Sequence, residues 1–452
     1  MNVLCGHVST SHAQRPCWRG GAGVASFAHY ISAMTTTLRT ALVALLAATP
    51  LAAQLPIPAT NARVMAAVDG LKTDNAWTID NQISICEIAA PPFKEKTRGI
   101  EFRRRLQALG LTNVRIDTAG NVIAERKGSG SGPTVVIAGH LDTVFPEGTD
   151  VKVKRTPTRL TSPGIGDDCR GLAVVLSVAR AFEKQKIQTL GTVYFIGNVG
   201  EEGPGNLRGV KNLFRNELKG KVDYFISVDG TGLDVTSRGV GSNRYKVTYK
   251  GPGGHSYGAF GRVNPIHALG RAIAQIGDLQ VPSSPRTTFN VGVITGGTSV
   301  NSIPFEASFE LDMRSESAEE VAKVDAKVQK ILVDALDAEN ARWGGGTNGK
   351  AKLTMTIDTI GIRPANGAQT EASTIVATAI AAGKSLGFTP ATTASSTDAN
   401  LPMSMGIPAI TIDGGGRGGD AHALTEWYED TANGWRGPQW ALLLVAALAG
   451  VR

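Results

Sequence analysis

The chain has 452 residues, 42% of them hydrophobic and 19% charged, which is the composition of a soluble globular protein long enough for two domains. Its formal net charge of +7 is weighted toward the start, where Arg15, Arg19 and Arg39 precede the first acidic residue, Asp69. The remainder is only mildly basic and has no Lys/Arg tract interleaved with aromatics, which argues against nucleic-acid binding.

Residues 1–33 read as a doubtful leader, with translation beginning at Met34. Residues 34–53 resemble a secretory signal: Arg39, an apolar core at 40–48, then Pro50-Leu51-Ala52-Ala53 before Gln54. That core is too short to span a bilayer as a mature helix, so a periplasmic or secreted protein with no membrane association is expected. Cys5 and Cys17 fall in the leader, and the remaining pair, Cys86 and Cys169, does not make a disulfide framework. Cys169 is expected as a small buried residue at a helix start, because the two carboxylates before it would suppress its thiolate.

From about residue 60 to residue 237, strands alternate with helices. Apolar, β-branched runs at 134–138, 192–196 and 222–228 predict buried strands, and residues 97–109 and 171–182 predict helices. The alternation implies an α/β fold, a mixed sheet with helices on both faces, whose first part spans 54–238. The pattern changes after 238: a strand at 244–250, a helix at 264–279, strands at 287–294 and 305–312, a charged helix at 318–342 and a strand at 352–357. This βαββαβ order with one polar face predicts a ferredoxin-like lid at 239–360, inserted into the catalytic domain. The catalytic domain resumes over 361–452, with a helix at 373–386 and a strand at 407–412.

Acidic and histidine motifs trail the predicted strands: Gly139-His140-Leu141-Asp142, Gly166-Asp167-Asp168, Gly200-Glu201-Glu202-Gly203, Asp229, and Gly419-Asp420-Ala421-His422. Ligands of open α/β sheets gather beyond the strands' carboxyl ends. Imidazoles and carboxylates converging there describe a divalent-metal site, zinc being the best match. Of seven histidines, His7, His12 and His29 lie in the leader, and His267 fits a structural role in the first turn of a helix. His140 is read as a ligand, with Asp142 two residues on as the carboxylate that holds its ring. The adjacent Glu201 and Glu202 can divide their work, one binding metal and the other taking a proton from an activated water.

The ordered set His140-x-Asp142, Gly166-Asp167-Asp168, Glu201-Glu202-x-Pro204, Asp229, Gly253-Gly254-His255-Ser256, Asn301-x-Ile303-Pro304 and His422 resembles the zinc peptidase family of tripeptidase T, carnosinase, carboxypeptidase G, acetylornithine deacetylase and aminoacylase. The resemblance covers nearly the whole mature chain. It implies a catalytic domain interrupted by a lid that often forms a homodimer, and a pair of Zn2+ ions, with Co2+ or Mn2+ as alternatives. The implied ligands are His140, Asp167, Glu202, Asp229 and His422, with Asp167 bridging. Glu201 would be the general base and Asp142 the imidazole clamp. His255 would stabilise the oxyanion, across a dimer if need be, and Asn301 and Arg314 would hold a substrate carboxylate.

One departure stands out. The family usually reads Asp-x-Lys or Asp-x-Asn before a glycine pair, whereas this chain reads Asp167-Asp168-Cys169-Arg170-Gly171. Aligning on the preceding glycines makes Asp167 the bridge, and aligning on Arg170 makes it Asp168; the first is preferred. Asp at the fifth ligand position accompanies family peptidases that accept a free amino terminus, so Asp229 points to an aminopeptidase or di/tripeptidase acting on small peptides. A carboxypeptidase G-type hydrolase of N-acyl amino acids is the alternative. A non-catalytic peptide-binding protein on the same scaffold is the reading of another class.

Overall fold

A computed structural model describes residues 54–343, 351–366, 369–431 and 433–452. The leader 1–33, the signal segment 34–53 and the Gly344-Gly345-Gly346 loop lie outside them. Eight strands form one sheet in the order 113–116, 122–126, 193–198, 135–140, 224–228, 409–412, 235–239 and 392–395. Val135–His140 runs parallel to both Val193–Asn198 and Tyr224–Val228, and the last of these runs parallel to Ala409–Ile412. Every residue of Val135–His140 and of Val193–Asn198 is buried, as expected of parallel strands covered on both faces. One cover is built from helices Ala62–Thr73, Asn75–Cys86, Cys169–Lys184, Thr374–Ser385 and Arg436–Ala449. The other packs Leu207, Val210, Leu213, Phe214 and Met403 against the opposite face.

Register places the functional motifs at one level. His140 pairs with Asn198, so the Gly200-Glu201-Glu202 turn leaves the sheet at the same rim. Asp229 follows Val228 there, its N–H bonded to the Ile412 carbonyl at 3.1 Å. The helix Cys169–Lys184 approaches this rim closely: a Cβ on Gly171 would sit 2.1 Å from the Val228 carbonyl, so only glycine fits. Asp168 caps this helix by accepting from Gly171 N.

The two mature cysteines, which the sequence left unpaired, form a disulfide between Cys86 and Cys169, Cα to Cα 5.4 Å. Cys169 is indeed fully buried at its helix start. Its partner is 83 residues away, and only the packing of helix Asn75–Cys86 on the catalytic core brings the sulfurs together.

The lid is a four-stranded antiparallel sheet ordered 287–296, 306–315, 241–250 and 354–363, with helices Pro265–Gly277 and Ala318–Trp343 packed together on one face. Its core joins Val247, Tyr249, Phe309, Leu311, Val328 and Leu332. The last strand, expected at 352–357, runs as Thr354–Arg363 and ends against the catalytic domain. His267 lies on the lid helix Pro265–Gly277, 3.7 Å from Glu339 and apart from the motifs at the rim.

Candidate metal centre

Asp167 lies between two histidines at the sheet's rim. His140 Nε2 is 2.9 Å from Asp167 Oδ1, and His422 Nε2 is 3.1 Å from Asp167 Oδ2. Asp229 Oδ1 is 4.0 Å from His140 Nε2, and Glu202 Oε1 is 3.2 Å from His422 Nε2. Donor atoms of His140, Asp167 and Glu202 all fall within 4.8 Å of one another. Asp167 thus touches both histidines, with Asp229 near His140 and Glu202 near His422, while His140, Asp167 and Glu202 also converge on one another.

The electrostatics fit a cation. Burial, and then the Asp167 charge, drives the Asp229 carboxyl well above its ordinary range. Burial likewise lifts Glu202 to about 7, against the pull of His422. The Glu202 Oε1 atom is buried with only the His422 ring nitrogen beside it, 3.2 Å away and poorly aligned for a hydrogen bond, a state that a bound cation would complete. His422 is raised to about 10 by the Asp167 and Glu202 carboxylates beside it. Its backbone adopts φ 67°, a left-handed conformation that non-glycine residues avoid and that concentrates at functional sites.

The surrounding shell holds these donors through their backbones. Asp168 Oδ2 accepts from His140 N at 2.8 Å while its Oδ1 accepts from Gly171 N, so both carboxylate oxygens are engaged by backbone amides. The ring clamp expected of the Asp142 carboxylate is supplied by that residue's carbonyl, 3.1 Å from His140 Nδ1; the nearest Asp142 carboxylate oxygen is 3.8 Å away. The carboxylate is already occupied, accepting from Gly200 N, Glu201 N and Glu202 N at 2.7, 3.2 and 2.9 Å. A two-residue spacing therefore placed Asp142 correctly beside His140, but its side chain grips the glutamate turn.

Three contributors carry no local sequence signal. Glu426, almost fully buried, accepts from Gly164 N, Gly166 N and Asp167 N at 2.9, 2.8 and 2.9 Å, which pins the loop that presents Asp167. Arg363 Nη1 donates to Glu201 Oε1 at 2.7 Å, and its Nη2 donates to the Glu201 carbonyl. Asp398 is fully buried and accepts from Asn198 Nδ2 at 2.6 Å; burial, then the Glu201 charge, pushes it up to about 8.

The lid residues separate into two groups. His255 and Asn301 lie together on the short 254–255 and 302–303 ladder, where Ser256 N donates to the Asn301 carbonyl. His255 is exposed, and its Nδ1 accepts from Tyr257 N and Gly258 N, both at 3.2 Å, so the ring proton belongs on the free Nε2. No hydrogen bond or ion pair among the described residues links His255 to the histidine–carboxylate cluster. Arg314 is at the other end of the lid sheet, eight residues from Glu306 along one strand, or roughly 26 Å at about 3.3 Å per residue. It shares a rung with Ser242 and Arg363 and lines a cavity of about 200 Å³ with Arg286 and Glu316. Within one chain, Asn301 and Arg314 are too far apart to grip one small carboxylate.

A cation-competent cluster beside an acidic residue at the carboxyl rim of an α/β sheet, under an inserted lid, defines a metal-binding hydrolase that acts on peptide or amide bonds. Similarity to known proteins agrees. The family model described as the peptidase dimerisation domain matches residues 239–340, and that of peptidase family M28 matches residues 121–251. The chain is 27% identical over 331 residues to the uncharacterised protein YqjE of Bacillus subtilis, covering 69% of this chain and 82% of that one. It is 29% identical over 303 residues to succinyl-diaminopimelate desuccinylase of Nitrosospira multiformis, covering 62% and 78%. Among solved structures, aminopeptidase PepT of Bacillus cereus superposes with a TM-score of 0.64 at 20% identity, over 82% of this chain and 98% of that one. The chain therefore carries an M20-type peptidase dimerisation domain and a peptidase M28 domain, and is homologous to peptidases and deacylases of that kind.

Proposed function

We propose that this protein is a dizinc exopeptidase that removes residues from small peptides with a free amino terminus. The observation that carries the reading is Asp167, whose two oxygens lie against two different histidines, His140 and His422. His140, Asp167, Glu202, Asp229 and His422 would hold the ions, Asp167 being common to both, and this mixed donor set suits Zn2+, with Co2+ or Mn2+ as substitutes. Bound ions would supply Lewis acidity toward a water and the scissile carbonyl. Glu201 takes the proton from that water as its oxygen bonds to the carbonyl carbon, then passes it to the amine nitrogen as the C–N bond breaks. His255 Nε2–H donates to the developing oxyanion once the lid closes or a partner copy's lid reaches over. Arg314, close to the Glu201 side of the lid, would take a substrate carboxylate, and Asn301 would join it only from the lid of a second copy.

Glu201→Gln is the test: zinc binding should persist while turnover falls by about 10²–10⁴-fold. Near-normal hydrolysis would remove Glu201 as the base. A second reading, hydrolysis of N-acyl amino acids, is favoured by the similarity to a desuccinylase. Profiling free against N-acylated di- and tripeptides separates the two, and exclusive cleavage of acylated substrates would sink the first. Export to the periplasm or medium is supported by the signal-like segment 34–53 and by the buried disulfide, a bond that persists in oxidising compartments. A homodimer through the lid is supported by the matched dimerisation domain.

A further inference from the structure

The last strand of the lid ends on a buried guanidinium that, among the described residues, makes no hydrogen bond or ion pair with the proposed metal ligands. We propose that Arg363 is a positioning residue that fixes the rotamer of Glu201 and ties that orientation to the seating of the lid. The proposal rests on Glu201 being the base.

The geometry is a two-point grip. Arg363 Nη1 meets Glu201 Oε1 at 2.7 Å, and Nη2 meets the carbonyl of the same residue, so backbone and carboxylate are held by one rigid plane. The guanidinium is itself steadied, Nη1 also reaching the Ser396 carbonyl at 3.2 Å and the Ser396 hydroxyl at 3.3 Å. Both side chains are almost fully buried, at 5% and 6% exposure, where water does not compete for either partner. Oε1 is thereby engaged, while Oε2 makes no hydrogen bond among the described residues and is the oxygen left to accept a proton.

An unrestrained glutamate has several rotatable bonds, and the neighbouring Glu202 carboxylate would repel Glu201 away from the rim. The grip also crosses a domain boundary. Next to Arg363, Ile362 N donates to Asn206 Oδ1 at 2.9 Å, and Lys211 Nζ donates to the same oxygen at 2.8 Å. The loop that follows the glutamate pair is therefore strapped to the lid strand that delivers the guanidinium. A lid displaced from this seat withdraws Arg363 and releases the base.

The test compares Arg363→Ala, Arg363→Lys, Glu201→Gln and the Glu201→Gln/Arg363→Ala double variant. All are assayed as full-length, zinc-loaded protein on the peptide or N-acyl amino acid that the wild type cleaves fastest. For Arg363→Ala the expected result is a kcat lower by about hundredfold, KM within about threefold, and unchanged zinc content. Millimolar guanidinium should recover part of that kcat by refilling the space. Arg363→Lys, which keeps the charge without the fork, should lose about tenfold and stands in if the alanine variant does not accumulate. In the double variant, Arg363→Ala should add nothing to the loss from Glu201→Gln.

A wild-type kcat in Arg363→Ala, or in Arg363→Lys if only that variant accumulates, overturns the proposal. So does an additive loss in the double variant, or a loss that tracks missing zinc and resists guanidinium. An active Glu201→Gln would instead remove the base itself, and this inference with it. An inactive Glu201→Gln beside an active Arg363→Ala removes this inference alone.

Discussion

Glu426→Ala tests whether the loop bearing Asp167 is held by one buried carboxylate. The change removes the acceptor for Gly164 N, Gly166 N and Asp167 N, three bonds of 2.8–2.9 Å in a site with almost no solvent access. Each buried donor left unsatisfied costs about 1–3 kcal/mol, so the loss is about 9 kcal/mol at most and about 3 kcal/mol if water enters the space left behind. In a folded unit of roughly 400 residues, about 3 kcal/mol lowers Tm by about 4 °C. The functional loss should be larger, because supports that orient metal ligands are typically worth about 10–100-fold in affinity. Glu426→Gln keeps one acceptor oxygen and should fall between the two. Thermal unfolding of the metal-free protein and calorimetric zinc titration read the two effects separately. A Glu426→Ala protein with wild-type Tm and wild-type zinc affinity would refute the reasoning, since three buried amides would then have needed no partner.

Asp398→Asn should stabilise the metal-free protein increasingly as pH rises from about 4 to 8. The folded carboxyl, raised to about 8 by burial and by Glu201, holds a proton that the unfolded chain has released above its ordinary 3.8, so wild-type stability falls across that window while the amide does not titrate. A Tm difference between variant and wild type that is flat or shrinks with pH would contradict this. Cys169→Ser should cost about 4.5 kcal/mol from the 83-residue separation that the disulfide closes, or about 5 °C in Tm, and reductant present during unfolding should do the same to the wild type. A Tm insensitive to both would remove the disulfide. His255→Ala should leave zinc content and folding unchanged and lower kcat by about hundredfold, the scale of one oxyanion donor; lost metal would make His255 a ligand, and unaltered kinetics would return it to a structural role.

His140, the glutamate pair and Asp229 were legible in the sequence because each ends or closely trails a run of buried, largely β-branched or aromatic residues. A strand's end is a local consequence of such a run, and parallel pairing in register brought the three ends to one rim. The lid was legible for the same reason, since its alternating strands and amphipathic helices carry their own periodicity. The groups that hold the site were not. Glu426 reaches Asp167 across 259 residues and Arg363 reaches Glu201 across 162, and neither belongs to a pattern that would announce a partner. A separation of 83 residues likewise hid the disulfide between Cys86 and Cys169. Asp142 shows the limit most plainly: spacing put it beside His140, but which backbone amides its carboxylate would accept was decided by the turn at Gly200. Periodicity in the chain determines which faces are buried and where strands stop. Hydrogen bonds between buried groups far apart in sequence arise only when the whole core closes, because only there does losing water make each unmade bond costly.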